Sequence, residues 1–127
     1  MHYEKFLALF LLFSTFNAYA VDIHFSNQYT TCLKNKISDS EITDCSIKEA
    51  TQQDKILTQS YQKLMSSLSG NQKSNLLNSQ RAWVKYRELE TKRLSEATGG
   101  TADAVNASSF YLDFTAQRAN EIQSEIN

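Results

Sequence analysis

The sequence predicts an all-α protein: a long antiparallel helical hairpin joined by a C-terminal helix into a small three-helix bundle with one disulfide. Three observations carry this expectation. The chain of 127 residues has no proline, and its only glycines, Gly70, Gly99 and Gly100, fall at two places. Between these breaks apolar residues recur at three- and four-residue spacing, the period of a helix with one buried face. Only two cysteines are present, Cys32 and Cys45, close enough in sequence to staple one short loop.

Residues 1–20 read as a cleaved secretory leader, with Lys5 ahead of an apolar run from Phe6 to Phe13 and small residues at Ala18 and Ala20. The run is too short to span a bilayer, and no second apolar stretch follows it. One domain is therefore expected over residues 21–127, periplasmic or secreted, with no membrane span after cleavage and no cysteine at the cleavage point to take a lipid anchor. Export also decides how the cysteines are read, because thiols outside the cytoplasm oxidise. Cys32 and Cys45 are expected to form a disulfide; with only His24 nearby they fall short of a tetrahedral zinc set. The net charge is −1 with both signs interspersed. That balance gives no basic field for nucleic acid or an anionic membrane.

The first long helix is expected to begin near Asp39, where Ser38-Asp39-Ser40-Glu41 forms a capping box, and to run to about Ser69 with Gly70 as a left-handed terminator. A second should start after Asn71 and end near Thr98, stopped by Gly99 and Gly100. The third starts between Thr101 and Ala107, with Thr101 as a cap, and runs nearly to Asn127. Residues 22–37 are ambiguous, with a short helix tied down by Cys32 as one reading. The inward stripes run Ala50, Asp54, Leu57, Tyr61, Leu64, Leu68 in the first helix and Leu76, Gln80, Trp83, Arg87, Leu94 in the second. In the third the stripe is Tyr111, Thr115, Arg118, Ile122, Ile126, flanked by Phe110 and Phe114.

Two arginines on inward stripes demand partners, since an unpaired buried guanidinium costs several kcal/mol. Asp54 is the acid on an inward stripe, so an ion pair from Asp54 to Arg87 or Arg118 is expected, with Gln80 and Tyr61 meeting the remaining donors and acceptors and Trp83 supplying apolar area. A catalytic alternative takes Asp54 and Glu90 as paired carboxylates for sugar hydrolysis. No phosphate loop, nucleophile motif or usable histidine accompanies them, so no catalytic residue, cofactor or metal is expected.

The spacing D-x-x-L-x-x-x-Y over Asp54, Leu57 and Tyr61, then QRAWVKYR from Gln80 to Arg87, then Gly99-Gly100, then Thr115-x-x-Arg118, resembles the lysozyme inhibitor LprI-like N-terminal domain family over about residues 32–122. The resemblance implies a small, helical, exported bacterial protein held by disulfides, and lysozyme as a partner to be inhibited. Family members often carry two further cysteines, at positions that correspond here to Thr91 and Phe110, and an asparagine where this chain has Thr58. Partner contact is assigned to the loop Gly99, Gly100, Thr101, Asp103, with the turn from Ser67 to Ser74 and the acids Asp39, Glu41 and Asp44 as rival surfaces. The alternative to lysozyme inhibition is an interaction or envelope-maintenance module with a different protein or peptidoglycan partner.

Overall fold

The computed structural model describes residues 22–126, so the leader expected over residues 1–20 lies outside the described residues. Four helices follow one another: α1 (Asn27–Leu33), α2 (Asp39–Ser67), α3 (Gly70–Ser95) and α4 (Ala102–Ser124). The ambiguous N-terminal segment holds α1, which Ser26 caps by accepting from the Tyr29 amide. Lys34 ends it, and Asn35 takes a left-handed φ of 64°. The Cys32–Cys45 disulfide, with Cα atoms 5.7 Å apart, ties α1 to the first turns of α2.

At the start of α2 the capping box is complete: the Ser38 hydroxyl accepts from the Glu41 amide and the Glu41 carboxylate accepts from the Ser38 amide. The Ser38 hydroxyl, which also donates to the Glu41 carboxylate at 2.8 Å, and then the Ser38 amide hold the Glu41 carboxyl below its ordinary value. Gly70 does adopt the left-handed φ, +54°, but α2 has ended by Ser67 and Gly70 opens α3. The link is therefore Leu68-Ser69, two residues earlier than expected, and α3 begins without a side-chain cap.

Contacts across the bundle establish its direction. Asp39 meets Thr101, Asp54 meets Tyr111, and Lys63 lies beside Ile126, so α2 and α4 run parallel. Arg87 meets both Asp54 and Thr115 while Gln80 meets Arg118, so α3 runs against both neighbours. The helix that closes the bundle is also its centre: α4 packs most extensively on α2 and next on α3. Leu57 and Leu64 from α2 pack with Ala119 and Ile122 from α4, and Tyr61, Leu76 and Trp83 lie against this cluster.

A helix with neighbours on two sides buries a wider arc than a single stripe. Besides Thr115 and Ile122, α4 buries Ala107, Leu112, Ala116 and Ala119. The small residues among these let α2 approach closely, and sequence periodicity read as one stripe missed them. Helix α3 is the opposite case, since Arg87 is its one buried residue.

Candidate functional site

Spacing of four residues places Trp83 and Arg87 one above the other on α3. The Arg87 guanidinium lies over the Trp83 ring, 4.7 Å from its centroid, and over the Tyr111 ring at 4.2 Å on the α4 side. Flat cations held between aromatic faces interact favourably with both rings, more so when removed from water. At its edge Nη1 donates to Asp54 Oδ1 at 2.8 Å and to Thr115 Oγ1 at 3.0 Å, while Nη2 donates to Glu88 Oε1 at 3.2 Å. One side chain thereby joins all three long helices.

Tyr61 has no part in this network and packs on the apolar cluster instead. The phenol that reaches Asp54 is Tyr111, whose hydroxyl donates to Oδ2 at 2.9 Å. Burial, and then this bond to a carboxylate, push the Tyr111 hydroxyl up to about 12. Tyr111 heads the α4 stripe, so its inward position was legible; its choice of acceptor depends on the parallel register of α2 and α4.

Arg118 pairs away from Asp54. Its Nε donates to Gln80 Oε1 at 3.0 Å, Nη1 to Glu121 Oε2 at 3.1 Å, and Nη2 to Ser79 Oγ at 3.4 Å. The antiparallel register puts Arg118 nearer the Gly70 turn than Arg87, level with Gln80, and its side chain remains partly exposed at 16%. Glu90, the second acid of the catalytic alternative, is bound by Arg93 Nε and Nη2. That hydrogen bonding, with the arginine's charge, keeps its carboxyl below the ordinary value.

Aromatic rings continue outward from the arginine. Trp83 stacks on Phe114 at 5.2 Å, Phe114 stacks on Phe110 at 5.2 Å, and Tyr86 meets both phenylalanines edge-on. Phe110 thus joins the α3–α4 seam by stacking. Thr91 is half-buried with a hydroxyl that has no partner among the described residues. Thr58 is exposed, outside the polar core.

The Gly99 loop is pinned from beneath by Asp103, a buried residue of α4. Its carboxylate accepts from the amides of Thr98 and Gly99 at 2.9 and 2.8 Å and from the Thr98 hydroxyl at 2.8 Å. The Thr98 amide, then its hydroxyl, hold the Asp103 carboxyl below its ordinary value. Thr101 occupies the N-cap position of α4 but has a helical backbone and makes no cap bond; its hydroxyl donates to Asp39 across the bundle at 2.6 Å. Gly99 has a φ of +80°, and a Cβ at Gly99 would meet no atom within 4 Å, so the loop's tip faces open space.

Sequence reading had no purchase on one further node. Glu49, 3% exposed, accepts from the Ser26 amide at 2.8 Å, from the Ser26 hydroxyl, and from Gln53 Nε2 at 3.0 Å. Gln53 also reaches the His24 carbonyl at 3.4 Å. Burial works against the Glu49 charge, but the Ser26 hydroxyl and amide and the Gln53 amide outweigh it and hold the carboxyl below its ordinary 4.5. His24 itself is a surface side chain, 83% exposed. Among the described residues no three His, Cys, Asp or Glu side chains come together as a metal-binding group, and no helix is long and apolar enough to cross a membrane.

These features define a disulfide-tied helical bundle that holds Arg87 between its three long helices and presents one pinned loop between α3 and α4. The chain belongs to the lysozyme inhibitor LprI family, whose profile matches residues 32–122. That span contains both cysteines, the three long helices up to Ile122 and every member of the arginine core. Curated proteins and solved structures yield no significant match to the chain.

Proposed function

We propose that the protein is exported after loss of residues 1–20 and that it binds and inhibits lysozyme in the periplasm. The family match over residues 32–122 carries this reading. The Cys32–Cys45 bridge supports it, because such bonds persist in oxidising compartments. Contact with the enzyme is made by the tip Gly99, Gly100 and Thr101, and Asp103 positions that tip without touching the partner. A loop held by four hydrogen bonds before binding loses little freedom on binding, which favours affinity from a small contact.

The test adds purified protein, residues 21–127, in molar excess to lysozyme clearing a suspension of cell walls. Clearing should slow with a chicken-type, goose-type or invertebrate-type enzyme. Gly100→Trp should weaken that inhibition at least about tenfold, the effect of losing about 1.4 kcal/mol of contact, while the thermal midpoint stays unchanged. If none of the three enzymes is slowed, inhibition is rejected in favour of an envelope module with another protein or peptidoglycan partner. Inhibition that survives Gly100→Trp unchanged rejects the loop as the contact.

A further inference from the structure

The two sulfurs of the Cys32–Cys45 bridge have unequal surroundings. Cys45, in the second turn of α2, is 1% exposed, whereas Cys32, in the last turn of α1, is half-buried. An open recess of about 550 Å³ lies against Cys32 without touching Cys45, and its other walls are Asn27, Gln28, Thr31, Lys34 and Lys36. A second recess, on the flank of the bridge, is lined by both cysteines and by Lys48.

Thiol–disulfide exchange has a directional requirement. The incoming thiolate attacks one sulfur from the side opposite the other, so open space is needed beyond the sulfur that is attacked. For Cys32 that space is the first recess, which it borders without its partner. For Cys45 the same approach runs into α2, where Ser46 and Glu49 beside it are buried. Access therefore selects Cys32 for attack and Cys45 as the leaving sulfur. Charge acts in the same direction. Lys34 forms no ion pair among the described residues, and Lys36 shares its charge with Glu41 at 3.7 Å, so an anion entering the recess meets two ammonium groups. Lys48, three residues on from Cys45 on the same helix face, puts a cation beside the departing thiolate.

We propose that Cys32 is a thiolation site for a small thiol that bears carboxylates. The thiolate forms a bond to Cys32 Sγ as the Cys32–Cys45 bond breaks, and the bonding pair leaves on Cys45 Sγ, which takes a proton from water. One disulfide is consumed and one is formed, so the exchange requires no oxidant or reductant. The carboxylates of the bound thiol lie toward Lys34 and Lys36. Helix α1, which buries no residue, then carries the adduct and loses its covalent tie to α2. The site does not rest on the inhibition of lysozyme, since it is defined by the bridge and its own neighbours.

Brief exposure of the oxidised protein, residues 21–127, to reduced glutathione, followed by quenching with N-ethylmaleimide and peptide mapping, tests this. At early times glutathione should be found on Cys32 and the maleimide on Cys45, in at least about tenfold excess over the reverse pattern, as access to one sulfur alone requires. Lys34→Glu should slow exchange with glutathione about threefold, the scale of an exposed charge pair. Exchange with uncharged 2-mercaptoethanol should keep its rate in that variant, which separates recognition of the anion from a general loosening of α1. Glutathione found mainly on Cys45, an equal mixture, the absence of any mixed disulfide, or equal slowing with both thiols overturns the proposal.

Discussion

At Asp54 one carboxylate serves Arg87 through one oxygen and Tyr111 through the other. Removing one member of a fully buried ion pair costs on the order of 3–5 kcal/mol, but water reaches Asp54, whose side chain is 38% exposed. Asp54→Asn should therefore cost about 1.5–3 kcal/mol, the range for hydrogen bonds to charged groups. Urea unfolding should show a lower midpoint at unchanged slope, and an unaltered midpoint would remove the ion pair from the stability of the bundle. Glu49 makes a second prediction at this scale. Its folded pKa lies below the ordinary 4.5, so its stabilising effect is complete above about pH 4.5 and is lost as the pH falls through the folded value. Glu49→Gln should flatten the loss of thermal midpoint below pH 4.5; a mutant profile parallel to the parent's would exclude this carboxylate as a source of the acid sensitivity.

Among the elements, α1 is the most loosely integrated. It buries no residue and packs on α2, held there by the disulfide and by Ser26 on Glu49. The bridge closes a loop with a sequence separation of 13, worth roughly 3 kcal/mol in the chain-entropy model. Reduction should release α1 before the bundle: amide exchange should accelerate over residues 27–33 while residues 112–122 stay protected. Simultaneous loss of protection at Leu112 and Ile122 would mean that α1 and the core form one cooperative unit. The α3–α4 pair depends instead on stacked rings and on Arg87, which is why a helix with a single buried residue holds its place.

In the whole molecule α4 is the common partner: it packs along both the parallel α2 and the antiparallel α3, while α2 and α3 have few close backbone contacts with each other. Ala119, 1% exposed, lies where Leu57, Leu64 and Ile122 meet. Enlarging it forces α2 and α4 apart along their closest approach, so Ala119→Leu should cost about 1–3 kcal/mol by overpacking. Calorimetry should record a lower thermal midpoint, and a midpoint equal to or above the parent's would place free volume where the packing described above allows none. The pinned loop sits at the end where α3 hands over to α4.

The three long helices, the left-handed glycine between α2 and α3 and the inward facing of Asp54, Trp83, Arg87 and Tyr111 follow from local rules. Periodicity, capping and glycine conformation act within a few residues, so they are written in the chain itself. The sequence also contained both the need of a buried guanidinium for a carboxylate and, in Asp54, an acid on an inward stripe to meet it. Register lay beyond local reading. Whether Arg87 or Arg118 reached Asp54, whether Tyr61 or Tyr111 supplied the phenol, and whether Thr101 capped its own helix or bonded to Asp39 all depended on how three helices slid past one another. That sliding is decided by packing volume summed over the entire α4 surface, where small residues set the approach, and no short stretch of sequence contains that sum.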